Sequence, residues 1–258
     1  MRLVIFRGFL RWFGYDIVRV KAREESKTTP NRHRLPQLPK SEISDVKEIL
    51  KDYVQKFGHE PGQYRTYKAA ARYLNETRMR KQFATVEFAF RNGVDLSGRI
   101  VDVGSGTGYL LRSVKRFARG SELWGFDPSP KTERLAPMLC PAATFKRELL
   151  SEREGAFDVA LCTQVLEHLV NPEALVYNLY KVLNPGGCLV LTVPDGRYNF
   201  LEAGRFSKEN GAYEGHVNFW SPESWRHWLE KIYAPSQIIT ETHDLIGNLA
   251  LIRKEVQG

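Results

Sequence analysis

A chain of 258 residues, 42% of them apolar, is long enough to bury one full core and an accessory segment. Its formal net charge is +8, yet residues 1–40 hold ten Lys/Arg against three Asp/Glu while the remainder is balanced at 28 against 27. The body is therefore near neutral, which argues against nucleic acid as its partner. No apolar run approaches the roughly 20 residues needed to span a bilayer. Arg7, Arg11 and Gly14 interrupt the first segment, so a cleavable secretory signal is not expected either. Cys140, Cys162 and Cys188 show neither paired nor metal-ligand spacing, and buried free thiols in a reducing, cytoplasmic setting are the expectation.

In chain order, residues 1–40 form a basic arm. Leu3 to Phe13 gather bulky apolar side chains opposite Arg7 and Arg11, and a proline-studded linker follows to Pro39. Such an amphipathic segment suits peripheral membrane contact through residues 1–20; packing on its own domain or on a partner is the bland alternative. Residues 41–95 read as a helical cap. Ser41 or Ser44 is the expected first N-cap, with Ile43, Val46, Ile49, Leu50 and Val54 inward; further helices run through Tyr64–Leu74 and Glu76–Asn92, closed by Gly93. Tyr64, Arg65 and Tyr67 are candidates to line a cleft or form a lid.

From residue 96 to the C-terminus, strands and helices alternate. Strands are expected near 99–103, 122–126, 143–146, 157–162 and 187–193, and helices near 107–118, 131–139, 171–183 and 222–232. Two β-rich runs in 237–253 suit an antiparallel closing pair. The richest stretch is Val101–Leu111, where an apolar strand ends in Asp102 and turns through Gly104, Ser105 and Gly106 into a helix. Glycines there let bare backbone approach a ligand. Dinucleotide sites space their glycines G-x-G-x-x-G around a pyrophosphate. Here Gly104, Gly106 and Gly108 alternate, and Asp102 would repel phosphate while orienting an ammonium group. Asp127, ending the next strand 19 residues after Gly108, suits a pair of ribose hydroxyls.

Taken together, Asp102–Gly108, Gly125-Phe-Asp127, Phe157–His168 and Leu183–Pro194 resemble the successive motifs of class I S-adenosylmethionine-dependent methyltransferases. The resemblance runs from about Arg99 to the C-terminus, and the chain looks similar to small-molecule and glycan O-methyltransferases. It implies an α/β, Rossmann-like, doubly wound sheet of seven mostly parallel strands with an antiparallel last strand, preceded by the N-terminal helical segment. It implies S-adenosyl-L-methionine as cofactor. Gly104, Ser105 and Gly106 would touch the methionine part, Asp127 the ribose, Pro128 and Ser129 the adenine, and Thr163 and Gln164 the methionine end. Many relatives place an Asp before the adenine-facing loop; this chain has Glu148 nearby instead.

The acceptor is expected beside the 27 residues from Pro194 to Trp220, a long irregular stretch rich in polar and aromatic groups. His216 is the candidate catalytic base, because a neutral imidazole can take the proton of an attacking alcohol. Glu214 and Asp195 are weaker alternatives and His168 a second one. Some relatives ligate a divalent ion through Glu-x-x-Glu-His; Gln164 stands at the first position here, so no metal is expected. Trp225, Trp228, Leu229 and Ile232 share a helical face and read as core, whereas Trp220 suits either burial or stacking on a sugar.

The expected activity is O-methylation of a sugar hydroxyl in a glycan or lipid-linked glycan precursor. A quinone or phenolic small molecule is the nearest rival. An NAD-dependent oxidoreductase and a non-catalytic binding module are the readings from other classes.

Overall fold

The computed structural model describes residues 35–118, 120–199, 205–207 and 212–256, without the side chains of 131–132, 198–199, 205–207 and 212–214. The basic arm and the membrane contact expected of residues 1–20 lie outside the described residues.

The cap comprises α1 (Lys40–Phe57), α2 (Tyr67–Tyr73) and α3 (Glu76–Arg91). Next come β1 (Arg99–Val103), α4 (Tyr109–Val114), β2 (Glu122–Phe126), α5 (Pro130–Leu139), β3 (Ala143–Lys146) and β4 (Phe157–Thr163). They are followed by α6 (Pro172–Lys181), β5 (Leu183–Val193), the short α7 (Gly196–Asn199), β6 (Arg205–Ser207) and β7 (Ala212–Glu214). The chain finishes with α8 (Pro222–Glu230), β8 (Ile238–His243) and β9 (Gly247–Arg253). Seven strands form one sheet in the order β3-β2-β1-β4-β5-β9-β8. Pairing is parallel from β3 through β5, and β9 runs antiparallel to both β5 and β8. The strand order reverses between β1 and β4, and in open α/β sheets ligands bind at the carboxyl ends beside such a switch point.

Side chains alternate across the strands, so neighbours sort into two cores. Val101, Ala160, Cys162, Leu189, Leu191 and Ile252 face Val176 and Leu179 of α6 and Trp225 and Leu229 of α8. Ile100, Val159, Leu161, Val190 and Leu251 face Phe88 and Ala89 of α3 and Leu110, Leu111 and Val114 of α4. Covered on both faces, the central strands read as continuous apolar runs. Burying each large apolar side chain stabilises by roughly 1.5–3 kcal/mol. A third cluster holds the cap down: Val46, Leu50, Tyr53, Tyr64, Ala70, Leu74 and Met79 pack with Tyr109, Leu135 and Leu139.

Several expectations are corrected. Helix α1 begins at Lys40 behind Pro39, which has no side-chain cap bond, so Ser41 and Ser44 sit inside the helix rather than capping it. Its buried face is Glu42, Val46, Leu50 and Tyr53, while Ile43, Ile49 and Val54 are only partly buried. Helix α4 starts later than residue 107 because Gly108 is left-handed, φ 76°, which no helical residue adopts. Strand β5 begins at Leu183, not 187: Leu183 pairs with Phe157, and the ladder then shifts register before resuming at Val159–Cys188. The stretch 194–220 is not wholly irregular, since α7 and the antiparallel pair β6–β7 lie within it. Gly93 has the left-handed φ of 76° expected of it, and the three cysteines are free and buried. No helix among the described residues is long and apolar enough to cross a membrane.

Candidate active site

Strand β1 ends in Asp102, and the turn after it is fastened to the end of β2. The backbone N–H groups of Gly104 and Ser105 both donate to the Phe126 carbonyl, at 2.8 and 3.2 Å. Gly104 adopts φ 76°, and a Cβ there would collide with Val165 Cγ2. Glycine is therefore required on both backbone and steric grounds.

Asp127 grips the same turn. Its Oδ2 accepts from the Gly106 N–H at 2.9 Å, and its Oδ1 accepts from the Ser129 N–H at 2.8 Å. Each oxygen keeps a further lone pair for a ligand hydroxyl. This carboxylate thus shapes the glycine turn, a role that its place at a strand end did not reveal in the sequence. Pro128 is exposed and Ser129 half-buried beside it.

Asp102 is the buried partner of this arrangement. Its Oδ1 is shut off from solvent with no hydrogen-bond partner. Burial, reinforced by the nearby charge of Asp127, pushes its carboxyl up to about 8. Such a group is unsatisfied until a cation or donor reaches it. Thr107 Oγ1, also buried, has no hydrogen-bond partner either.

The cap approaches from one side. Tyr53 Oη accepts from the Tyr64 N–H at 3.0 Å and donates to Gln63 Oε1 at 2.8 Å, while Gln63 Nε2 donates to the Pro130 carbonyl at 2.9 Å. This chain of bonds ties residues 63–64 to the start of α5. The Tyr64 phenol is pushed up by burial above all, and Asp127 is among the negative charges near it. Arg65 and Tyr67, the other lid candidates, are exposed. Glu148 is exposed too and lies 3.6 Å from Lys146.

At the tip of β4, Thr163 is half-buried and Gln164 adopts φ 56°, the only left-handed non-glycine among the described residues. That conformation costs about 1–3 kcal/mol and persists only where surroundings impose it. Here the Gln164 N–H donates to the Thr192 carbonyl at 2.9 Å, and Nε2 donates to Thr192 Oγ1 and the Ile246 carbonyl. Its amide nitrogen is thereby turned to β5 and the β8–β9 turn, so only Oε1 remains for a ligand.

The 3-10 turn Leu166–His168 follows, and the segment Gly215–Asn218 is laced onto it. Val217 and Asn218 donate from their backbones to the Glu167 carbonyl, at 2.8 and 3.1 Å. Asn218 Nδ2 donates to the carbonyls of Leu166 and Leu169. The lacing sets His216 edge-on against His168, with ring centroids 4.9 Å apart. Glu167, His168 and His216 bring carboxylate and imidazole atoms within 4.8 Å of one another, the one such group among the described residues close enough to share an ion. A hard divalent cation takes six or more oxygen ligands, and Gln164 brings no anionic oxygen to the cluster.

Asp195 is not available as a base. It is buried and paired twice with Arg197, at 2.7 Å from Nη2 and 3.1 Å from Nε. The side chain of Glu214 lies outside the described residues. Trp220 is buried against Trp225 and Trp228, at 5.5 and 5.3 Å, which leaves no face for a sugar. Trp225 and Leu229 are buried as expected, with Trp228 and Ile232 packed against them.

A family model described as a methyltransferase domain matches residues 67–232, well over half of the chain. The chain belongs to the class I S-adenosylmethionine-dependent methyltransferases. Curated relatives of this methyltransferase include a ubiquinone biosynthesis O-methyltransferase of Xanthomonas oryzae pv. oryzae, 31% identical over 108 residues, which covers 38% of this chain and 44% of that protein. The mitochondrial ubiquinone biosynthesis O-methyltransferase of Rattus norvegicus is 30% identical over 168 residues, covering 58% and 47%. The methyltransferase thus spans a little under half the length of these relatives. Among solved structures, the plantazolicin methyltransferase BpumL in complex with SAH aligns with TM-score 0.57 at 17% identity, covering 83% of this chain and 98% of that one. Likeness at that identity concerns the fold alone.

Proposed function

We propose that this methyltransferase transfers a methyl group from S-adenosylmethionine to a hydroxyl of a small ring-bearing acceptor, a phenol or quinol with a prenyl tail. The observation that carries donor binding is the buried, unpartnered Asp102 oxygen beside a turn pinned by Asp127. When bound, S-adenosylmethionine supplies an electrophilic methyl group on a sulfonium. Asp102 would hold the ammonium end and Asp127 the ribose. Gly104, Ser105 and Gly106 would pass along the methionine part, with Thr163 and Gln164 Oε1 near its end, and Pro128 and Ser129 would border the adenine.

The acceptor side would be formed by the imidazole pair His168 and His216. His216, the base expected from the sequence, belongs to this pair. The phenolic acceptor is favoured over a glycan for two reasons. The curated relatives act, by name, in ubiquinone biosynthesis, and the tryptophan that suited a sugar face is taken up by the core. The basic amphipathic segment read in residues 1–20 also suits an acceptor that partitions into membranes.

Two measurements test this reading. Isothermal calorimetry with S-adenosylmethionine is expected to show binding that weakens at least 100-fold in Asp127→Ala, since the change removes two charge-assisted hydrogen bonds shaping the turn as well as the ribose contact. Equal affinity in the variant would remove Asp127 from the site. Methyl transfer from labelled donor is expected to a farnesylated dihydroxybenzene and not to lipid-linked oligosaccharides. The reverse result would restore the glycan reading.

A further inference from the structure

One of the two imidazoles of the acceptor side makes a backbone contact that fixes its tautomer. His168 Nδ1 lies 2.8 Å from the carbonyl oxygen of Gly215. A carbonyl oxygen only accepts, so Nδ1 must carry the proton and donate. In the neutral ring the other nitrogen, Nε2, is then left with its lone pair and no hydrogen. The side chain is 45% exposed, at the carboxyl end of β4 where ligands of such sheets lie. Glu167 Oε1 stands 3.9 Å from the same Nε2. His216, only half exposed to solvent, packs edge-on against this ring, and Phe219 lies 6.3 Å from His216 on a further side. The arrangement is a base with a fixed tautomer, an orienting acceptor on one nitrogen and a carboxyl group near the other.

We propose that His168 Nε2 is the atom that takes the proton from the acceptor hydroxyl, with the Gly215 carbonyl and His216 as its positioning groups. The inference rests on the O-methylation reading above. In the step, the acceptor oxygen forms its bond to the methyl carbon while the sulfur–methyl bond breaks, its electron pair staying on the departing thioether sulfur. The O–H bond breaks with its electron pair retained by oxygen, and the proton goes to Nε2. The resulting imidazolium, bonded to the Gly215 carbonyl and facing Glu167, returns its extra proton to solvent after the product leaves.

The test uses the whole chain and two readouts. Long-range ¹H–¹⁵N correlation spectroscopy of the labelled imidazoles, at a pH where the His168 ring is neutral, is expected to show protonated Nδ1 and bare Nε2. Finding the hydrogen on Nε2 instead overturns the proposal. His168→Asn places an amide N–H where Nδ1–H stood and so preserves the donor to Gly215, but it carries no basic nitrogen. With the farnesylated dihydroxybenzene and labelled donor, kcat in His168→Asn is expected to fall by about 10²–10⁴-fold, while donor affinity by calorimetry and Tm stay near wild type. His168→Ala, which loses both functions, should fall as far in kcat and also lose Tm. If Asn restores turnover to within threefold of wild type, His168 is only a structural tie and the proposal fails. If His216→Asn abolishes turnover while His168→Asn does not, O-methylation stands and the base is His216. If wild type methylates neither the phenol nor a lipid-linked oligosaccharide, the O-methylation reading fails and this assignment falls with it.

Discussion

Asp102→Asn should make the ligand-free protein more stable and nearly unable to hold its methyl donor. The folded protein keeps this carboxyl up at about 8, by burial and by the charge of Asp127, whereas an unfolded Asp titrates near 4. Between those values the folded state binds more protons than the unfolded state, so wild-type stability falls as pH rises through the window and is lowest above it. An amide at this position has no charge to desolvate. The variant is therefore expected to gain on the order of 2–4 kcal/mol at pH 8, or roughly 5–10 °C in Tm, and little at pH 4. Donor affinity is expected to fall at least 30-fold, because a neutral amide cannot replace the ion pair. In the wild type, binding should release a proton near neutrality, so affinity rises with pH from 6 to 7.5. Thermal denaturation at the two pH values, with calorimetry in two buffers of different ionisation enthalpy, reads all of this. Parallel pH–Tm curves for the two proteins, or undiminished donor binding in the variant, would remove Asp102 from its assigned role.

Glu42 gives the opposite sign. It is buried at the start of α1, accepting from Arg112 Nε at 2.8 Å and Nη2 at 3.2 Å and from Arg116 Nη2 at 2.8 Å. Burial alone would raise its carboxyl, but the two guanidinium groups outweigh that and hold it below the usual carboxylate range. Stability from this group is present above the unfolded value and lost as pH falls through the lower, folded one. Glu42→Gln leaves two cations facing a neutral amide and is expected to cost about 2–4 kcal/mol, somewhat below a fully buried pair because both arginines keep partial solvent access. Denaturant unfolding at pH 7 should show a lower midpoint, and the acid limb below pH 4.5 should flatten. An unchanged midpoint would mean that the apolar contacts of α1 alone hold the cap.

How far this was legible in the sequence depended on range. The strand at Arg99–Val103 and the turn after it were readable because their pattern is local: an apolar run, an acid, then glycines at alternate positions. The three tryptophans near α8 were readable in part, since helical spacing put Trp225 and Leu229 on one face. Trp220 was not decided by spacing, because its burial depends on packing against a helix that starts two residues later. Glu42 was hidden for the opposite reason. An acid in a helix's first turn reads as solvent-facing, and only the arrival of Arg112 and Arg116, 70 and 74 residues on, makes burial tolerable. The same holds for His168 and His216, which lie 48 positions apart and meet through bonds from Gly215–Asn218 to the turn after β4. Asp127 was expected as a ligand contact from its place at a strand end, but its grip on Gly106 joins positions 21 residues apart and has no local signal. The left-handed Gln164 carried no local signal at all, since glutamine rarely adopts that conformation and tertiary bonds impose it.

The place of β9 between β5 and β8 has a consequence for how the molecule is made. The segment that fills the gap follows both of its neighbours in the chain, and until it is made β5 presents an unpaired edge and β8 has nothing to join. Asn248, on that same strand, donates its amide to the Trp220 carbonyl, so the segment that carries Trp220 is fastened only once β9 is in place. A nascent chain therefore contains the glycine turn and the strands beside it well before it can close the far half of the sheet.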